Sequence, residues 1–305
     1  MSRVAIVGAG AWGTALAIQA ARAGCEVTLW ARTARPIALP AAVNLTTELP
    51  AAADAILLAV PMQHLREVAA RLPRGTTPLV ACAKGVEQGT LRLPMEVLAE
   101  LHPSRLAAIL TGPNFAHEVA AGLPAATVIA AADAALRADL AALLGTATFR
   151  VYRNDDPIGA QVGGAAKNVI AIAAGAVIGA GLGENARAGL ITRGLAELGR
   201  LAVVLGGRME TVMGLSGLGD LLLTCTGASS RNFSLGLALG RGERLADVLA
   251  ARSAVTEGVA TAPALVTRAV GVDMPICRAV TELLAGRLPL ARAVSELLAR
   301  PQRDE

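Results

Sequence analysis

The sequence predicts two units: an α/β domain with a doubly wound parallel sheet, followed by an all-α domain. In the first half, short apolar runs alternate with helical or irregular stretches, which is typical of a parallel sheet covered by helices. A glycine-rich loop follows the first apolar run and opens a helix. Beyond about residue 157 the strand signals stop, and Ala/Leu/Gly-rich segments with helical periodicity run to the C-terminus.

The elements follow in order along the chain. The first helix is predicted to run from the glycine loop through Ala23, with Gly24 as its C-terminal glycine. The stretch 150–157 ends at a proline, which places the boundary between a domain of residues 1–156 and one of residues 157–305. The predicted strands are Val4–Val7, Val27–Trp30, Ala55–Val60, Leu79–Ala83, Ala107–Thr111 and Thr127–Ala131.

Composition excludes several classes of protein. The chain of 305 residues is 54% hydrophobic and 17% charged, which excludes a disordered polymer and allows a large core. Aromatic residues are only 2%, which argues against the stacking platforms of single-strand nucleic-acid binders. The net charge of +4 comes from scattered residues, so duplex binding is disfavoured while a small anionic ligand stays compatible.

Cysteine spacing and hydropathy indicate whether the chain has a metal site or a membrane span, and where in the cell it is expected. The cysteines Cys25, Cys82, Cys225 and Cys277 lie too far apart for a zinc knuckle, so free thiols and no metal site are expected. No signal-peptide pattern opens the chain, and the longest uncharged stretch, 168–183, is short of a span and interrupted by glycines. We expect a cytoplasmic protein without a membrane span or a nucleic-acid partner.

The glycine loop has the spacing of a dinucleotide-binding site. In it Gly8 suits a tight turn, Gly10 leaves room for a pyrophosphate against the backbone, and Gly13 allows close packing of helix on strand. The N-terminus of the helix attracts the anion. The context of strand, loop and helix predicts a Rossmann domain that binds a nicotinamide dinucleotide; a turn that serves packing alone is the alternative.

The residues after the second strand bear on the choice of cofactor. An acidic side chain commonly binds the ribose 2′-hydroxyl there, but this sequence has Trp30-Ala31-Arg32-Thr33. A guanidinium pairs well with a 2′-phosphate, so Arg32 favours NADP over NAD without excluding NAD.

Two further turns lie at the carboxyl edge of the sheet, where open α/β folds bind ligands. Lys84 follows the predicted fourth strand and is a candidate cation for a phosphate or the substrate, with a solvated charge as the alternative. The fifth strand leads into the turn 111–116, in which Asn114 is predicted to be the N-cap of a helix. His117 is expected to be a surface residue rather than a catalyst.

The helical half carries the residues suited to proton transfer. Lys167 lies among small and apolar neighbours, where burial would lower its pKa and suit it to exchange a proton during hydride transfer at a carbinol carbon. Asp220 lies beside flexible glycines, with a turn residue as the alternative role. Ser230, Arg231 and Asn232 begin a helix, which suits a bound phosphate or plain capping.

Taken together, these segments resemble the bacterial NAD(P)-dependent glycerol-3-phosphate dehydrogenases. The order and rough spacing match along nearly the whole chain, and the Lys-Asn-Val-Ile-Ala and Ser-Arg-Asn segments are more specific than the glycine loop. The segments that carry the resemblance are 8–13, Lys84-Gly85, 112–116, 167–171, 191–194, 217–221 and 230–232.

The resemblance implies a reaction and a set of site residues. It implies reversible interconversion of dihydroxyacetone phosphate and sn-glycerol 3-phosphate, with Lys167 as the acid/base and Asp220 orienting it. The implied substrate site comprises Lys84, Gly112, Asn114, Lys167, Asp220, Ser230, Arg231 and Asn232. The implied cofactor site comprises Gly8, Gly10, Ala11, Trp12, Gly13, Arg32, Lys84, Ala116, Arg231, Val255 and Glu257.

Three departures from the family pattern are visible. Asn114 stands where Ser or Thr is usual, and Met62 follows Val60-Pro61 where Ser is common. The stretch 33–49 is shorter than usual near the adenosine end, which bears on cofactor affinity and discrimination rather than on the chemistry.

Two other functions stay open from the sequence alone. One is a related hydroxyacid dehydrogenase or reductase of the same architecture, which would need a carboxylate clamp in place of a phosphate site. The other is a non-catalytic NADP-sensing protein, which Lys167 and Asp220 argue against. A homodimer is the default expectation for a helical dehydrogenase domain rich in small residues.

Overall fold

The N-terminal half forms one open sheet with helices on both faces. In the computed structural model, which describes residues 1–33, 37–50, 52–252 and 255–301, eight strands lie in the order β3-β2-β1-β4-β5-β6-β7-β8. The chain reverses its direction of winding between β1 and β4, the place where such sheets bind ligands. The strands are β1 (Arg3–Val7), β2 (Glu26–Trp30), β3 (Val43–Thr46), β4 (Ala55–Leu58), β5 (Leu79–Ala81), β6 (Ala107–Thr111), β7 (Ala125–Ala130) and β8 (Phe149–Asn154).

The predicted α/β fold is confirmed, with two corrections to the sheet. All six predicted strands form, but β6 and β7 pair antiparallel, with Leu110 opposite Ile129, so the sheet is not wholly parallel. Two strands were not predicted: β3, which pairs with β2, and β8, which pairs with β7. Both are edge strands with mixed burial, so neither shows the continuous apolar run of the central strands.

Fourteen α-helices and one π-helical turn, Leu215–Gly219, complete the described part of the chain. The first helix ends as predicted: Gly24 takes a φ of +88° and its N–H donates to the Ala21 carbonyl. The helices are α1 (Ala11–Arg22), α2 (Met62–Ala70), α3 (Pro94–Leu101), α4 (Ala116–Ala121), α5 (Ala134–Leu144), α6 (Pro157–Gly179), α7 (Gly183–Val204), α8 (Met209–Val212), α9 (Asp220–Cys225), α10 (Arg231–Gly240), α11 (Leu245–Ala250), α12 (Glu257–Arg268), α13 (Pro275–Leu284) and α14 (Leu290–Leu298).

Apolar clusters cover both faces of the sheet. On β1, Val4 and Ile6 point into one cluster and Ala5 and Val7 into the other, so the strand is buried on both sides. A third cluster surrounds α6 and forms the core of the helical half. That core also takes in Val86 and other side chains of the segment between β5 and α3, so the first half of the chain contributes to the core of the second.

Helix α6 is the central helix of the second half. It is long and apolar enough to cross a membrane by length and composition, but 89% of its most apolar window is buried inside the protein. This burial is typical of a core helix. Its N-terminus is capped by Asp156, whose side chain accepts from the Gly159 N–H at 2.8 Å.

The stretch 33–49, which the sequence comparison predicts to be short, follows β2 and contains β3. Residues 34–36 fall outside the described residues, so the prediction about its length is not tested there. The described remainder includes β3, which borders β2 at the edge of the sheet.

Candidate active site

The glycine loop crosses from β1 to β4 at the reversal of the sheet. Gly8 has a φ of +114°, and a Cβ there would lie 2.6 Å from the Ala59 carbonyl oxygen at the end of β4. A Cβ on Gly13 would lie 1.8 Å from the Gly8 carbonyl oxygen, so only glycine allows this approach of helix to loop. Gly10 is different, because no described atom beyond its two chain neighbours lies within 4 Å of its Cβ position.

The N-terminus of α1 is therefore open toward the reversal point. Its cap residue is Gly10, which brings no side chain to accept the first N–H groups, and its first turn holds no acidic residue. Unsatisfied N–H groups beside open space suit a pyrophosphate. These features fit a dinucleotide cofactor.

The end of β2 lies beside the same loop. The Gly8 N–H donates to the Trp30 carbonyl at 3.0 Å, which brings Arg32, two residues further on and exposed, to the rim of the loop. On the other side Trp12 packs its ring between the sheet and α4, so Trp12 is a partly buried core residue as well as a neighbour of the loop.

A carboxylate between two lysines forms the centre of the site. Asp220 is 1% exposed; its Oδ1 pairs with the Lys167 ammonium, and its Oδ2 lies 2.6 Å from Lys84 Nζ. Lys84 Nζ also donates to the Gly112 carbonyl at 3.1 Å. Four segments far apart in sequence therefore meet here: the end of β5, the turn after β6, helix α6 and helix α9.

Lys167 has the electrostatic environment of a proton-transfer group. Burial lowers the pKa of its ammonium to about 8, and the Lys84 charge also lowers it, while the Asp220 carboxylate opposes this shift. A lysine with a pKa near 8 exchanges protons readily near neutral pH.

A threonine that was not predicted completes the environment of Lys167. Lys167 Nζ donates to Thr224 Oγ1 at 3.1 Å, and that hydroxyl donates to the Asp220 carbonyl at 2.5 Å. Thr224 lies four residues, or one helical turn, after Asp220 on α9. This spacing places the two side chains on one face of the helix, and it is the sequence signal that could have identified Thr224. The π-helical turn before α9 brings Asp220 into position.

Two asparagines join three helices beside this centre. Asn232 on α10 donates to Asn168 Oδ1 on α6 at 2.9 Å and accepts from the Gly258 N–H on α12 at 3.0 Å. Asn232 is therefore bonded within the protein rather than directed freely toward a ligand. Ser230 is the N-cap of α10, accepting from the Phe233 N–H at 3.2 Å, and Arg231 is exposed at the first position.

Glu257 connects the helical half to the sheet domain. The backbone N–H of Met62, the first residue of α2, lies close enough to its carboxylate to act against a rise in its pKa. Burial raises the pKa of Glu257, and the charges of Arg231, Lys84 and Lys167 act against this rise. These cations therefore lie within electrostatic range of Glu257, whereas its neighbour Val255 is exposed.

The prediction that Asn114 caps a helix is wrong. Helix α4 begins at Ala116 after Phe115, and the Asn114 side chain donates instead to the Ala126 carbonyl at 2.9 Å. The antiparallel β7 provides that carbonyl, so the unpredicted sheet geometry explains the error. His117 is exposed, as expected.

Several buried polar atoms near the site lack a partner among the described residues. Thr111 Oγ1 lies at the end of β6 beside Gly164 and Lys84, and Asn114 Oδ1 lies in the turn that follows. Thr256 Oγ1, next to Glu257, is a third such atom. Within the described residues, no group of three or more His, Cys, Asp or Glu side chains is placed to hold a metal ion.

Family models match both halves of the chain. The model described as NAD-dependent glycerol-3-phosphate dehydrogenase N-terminus matches residues 3–38 and 34–137, and the model of the C-terminus matches residues 156–295. The chain belongs to the NAD-dependent glycerol-3-phosphate dehydrogenase family. The family resemblance drawn from the motifs is thereby confirmed.

Individual relatives of this glycerol-3-phosphate dehydrogenase family cover nearly the whole chain. A protein of Gluconobacter oxydans (strain 621H), named glycerol-3-phosphate dehydrogenase (NAD(P)+), is 54% identical over 297 residues, which cover 92% of each chain. One of the same name from Acidiphilium cryptum (strain JF-5) is 55% identical, covering 99% of this chain and 98% of its own. A crystal structure of glycerol-3-phosphate dehydrogenase from Coxiella burnetii superposes with a TM-score of 0.92 at 39% identity, covering 98% of this chain and 99% of that one.

Proposed function

We propose that this chain is an NAD(P)-dependent sn-glycerol-3-phosphate dehydrogenase that interconverts dihydroxyacetone phosphate and sn-glycerol 3-phosphate. The observation that carries the proposal is the buried Asp220 carboxylate held between Lys167 and Lys84 at the carboxyl edge of a dinucleotide-binding sheet. Family membership and the names of relatives that cover almost the full chain support the same reaction.

The cofactor would lie along the glycine loop. Gly8, Gly10, Ala11, Trp12 and Gly13 provide an open helix N-terminus for its pyrophosphate, and Arg32 at the end of β2 would meet a 2′-phosphate, which favours NADP. Ala116 and Lys84 border the same edge of the sheet, while Arg231, Val255 and Glu257 approach from the helical half. When bound, the nicotinamide supplies or accepts the hydride.

The substrate phosphate would lie near the start of α10. Ser230 holds that helix end in place, and Arg231 presents a guanidinium there. Asn232 acts by joining α10 to α6 and α12, and Gly112 and Asn114 shape the opposite wall. Anchoring the phosphate aligns the C2 carbon with the cofactor.

Lys167 would exchange the proton at the C2 oxygen. In the reducing direction its ammonium donates a hydrogen bond and then a proton to the oxygen; in the oxidising direction its neutral amine takes the hydroxyl proton. Asp220 and Thr224 hold the lysine nitrogen by accepting its other hydrogen bonds, so that one N–H remains for the substrate. A pKa of about 8 makes both directions accessible near neutral pH.

The remaining features follow from the same proposal. We assign residues 1–156 to cofactor binding and residues 157–305 to substrate binding and catalysis, in a cytoplasmic homodimer that supplies glycerol 3-phosphate for phospholipid synthesis. The end of β8 at Asn154 and the start of α6 at Pro157 support that division. The mass of the native protein in solution tests the dimer.

The reaction is tested by the absorbance of the reduced nicotinamide. Purified protein is mixed with dihydroxyacetone phosphate and either NADPH or NADH. We expect oxidation of both, faster at low concentrations of NADPH than of NADH. Tight cofactor binding without oxidation would contradict the proposal and favour a sensor; oxidation only with a 2-keto acid would favour the hydroxyacid reductase.

A further inference from the structure

The segment between β5 and α3 belongs to the sheet domain in sequence but to the helical half in packing. Val86 and Leu93 are fully buried in the core that surrounds α6, and Leu91 packs against the same core. The segment begins directly after Lys84, whose ammonium pairs with Asp220. Its placement therefore determines where Lys84 lies.

The backbone of this segment adopts an unfavourable conformation. Leu91 has a φ of +60°, in the left-handed region that disfavours side chains with a Cβ. Two backbone hydrogen bonds close the turn. The Leu91 N–H donates to the Glu87 backbone carbonyl at 3.0 Å, and the Glu87 N–H donates to the Arg92 backbone carbonyl at 2.9 Å. Such a conformation persists only where its surroundings hold it.

Arg268, the last residue of α12, holds the turn from the helical half. Its Nη1 donates to the Leu91 carbonyl at 2.6 Å, and its Nη2 donates to Glu96 Oε1 at 2.7 Å. The other oxygen of Glu96 accepts from the Leu93 N–H at 2.6 Å. The Arg268 guanidinium therefore holds the Leu91 carbonyl directly, and it holds the Leu93 N–H through the Glu96 carboxylate.

Helix α12 contacts the sheet domain along its length. Glu257 at its start lies near the Met62 N–H, and Arg268 at its end donates to the Leu91 carbonyl. Between them, Thr261 abuts the backbone just after Lys84: a Cβ on Gly85 would lie 2.7 Å from Thr261 Oγ1. Helix α12 thus contacts both ends of the connection between β5 and α3, the connection that contains Lys84.

We propose that Arg268 is a positioning residue that holds the strained turn at Leu91 against the helical half and so places Lys84 beside Asp220. This inference rests on the proposed function, because Lys84 is taken to contact the substrate. Arg268 itself touches no reacting group, and it acts through the segment 85–93.

Steady-state kinetics of Arg268→Gln test the effect on the reaction. Displacing a positioning group by about 1 Å costs up to about 100-fold, so we expect kcat/KM for dihydroxyacetone phosphate to fall by about 10- to 100-fold. The KM should rise, because Lys84 moves. A loss of folded protein alone would lower kcat at an unchanged KM. Arg268→Lys should recover part of the loss, since an ammonium can still donate to the Leu91 carbonyl.

Arg200→Gln is the matched control. Arg200 donates from Nε and Nη2 to the Asp273 carbonyl at 2.9 and 2.7 Å, a comparable clamp that lies wholly within the helical half. We expect its kcat/KM to stay within about twofold of wild type. An equal loss in both variants would overturn the inference.

Amide hydrogen exchange tests the clamp independently of catalysis. In the ligand-free protein, peptides covering 85–93 should exchange faster in Arg268→Gln than in wild type or Arg200→Gln. Unchanged exchange, or an unchanged KM in an active enzyme, would overturn the inference. If the wild type does not reduce dihydroxyacetone phosphate, the proposed function fails, and the exchange result still decides whether Arg268 holds the turn.

Discussion

Gly10→Ala separates cofactor binding from folding. Gly10 has φ −72° and ψ −180°, which alanine adopts without strain, and no described atom beyond its two chain neighbours lies within 4 Å of the new methyl group. The fold should therefore accept the substitution. The methyl group would occupy the space proposed for the pyrophosphate.

The magnitudes follow from the position of Gly10 at the N-cap of α1. Alanine is a poorer cap than glycine, so the free energy of unfolding should fall by about 0.5–1 kcal/mol. Displacing the pyrophosphate loses at least one hydrogen bond to a charged group, worth about 1.5–3 kcal/mol. That loss corresponds to a weakening of NADPH binding by about 10- to 150-fold.

The assay is a titration of the apoprotein with NADPH, followed by the fluorescence of the reduced nicotinamide. Gly189→Ala is the control, because Gly189 lies exposed in α7 and has no described atom within 4 Å of its Cβ position other than those of its chain neighbours and its own helix backbone. That variant should gain about 0.5–1 kcal/mol in helix stability and bind NADPH like wild type. Equal NADPH affinity of Gly10→Ala and Gly189→Ala would refute the placement of the pyrophosphate.

Three further predictions concern protonation, the environment of Lys167 and a structural carboxylate. Reduction needs the ammonium of Lys167, whose pKa is about 8, so kcat/KM for dihydroxyacetone phosphate should fall as pH rises through about 8. The kcat/KM for glycerol 3-phosphate should rise over the same range, because oxidation needs the neutral amine. Flat pH profiles would argue against Lys167 as the acid/base. Thr224→Val removes one hydrogen-bond acceptor from Lys167, a bond worth about 0.5–1.5 kcal/mol, so kcat should fall by about 2- to 10-fold while the affinity for NADPH is kept. An unchanged kcat would show that Thr224 does not hold Lys167 in position. Glu197 is buried and accepts hydrogen bonds from the Ile276 and Cys277 N–H groups at the start of α13. Glu197→Ala should therefore lower the free energy of unfolding, measured by urea denaturation, by about 2–4 kcal/mol. A loss below about 0.5 kcal/mol would show that water replaces the carboxylate.

The central strands and the glycine loop were predictable because each depends on local pattern. An apolar run of β-branched residues, such as Val4–Val7, indicates a strand that is buried on both faces wherever it lies in the sheet. β8 also carried a signal, since Phe149, Val151 and the intervening polar residues alternate, but the charged residues obscured it. The antiparallel pairing of β6 and β7 had no local signal, because register and direction come from the whole sheet.

The sequence singled out residues that the structure brings together, but it did not predict how they are arranged. Burial of Lys167 followed from its apolar neighbours, whereas the pairing of Asp220 with both Lys84 and Lys167 joins positions up to 136 residues apart. Asn232 shows the limit most clearly: its residue type suggested a ligand contact, and the structure gives its amide to Asn168 and Gly258. The packing of Val86 and Leu93 into the helical core likewise depends on tertiary contacts that no short pattern encodes.

A single-turnover reaction of Lys167→Ala tests whether Lys167 is the proton donor. Enzyme in excess, loaded with NADPH, is mixed with dihydroxyacetone phosphate, and the decay of the reduced nicotinamide is followed. Because general acid catalysis contributes about 10²- to 10⁴-fold, the rate should fall by that factor while the affinity for NADPH stays near that of wild type. A near-normal rate would contradict the assignment of Lys167 as the proton donor.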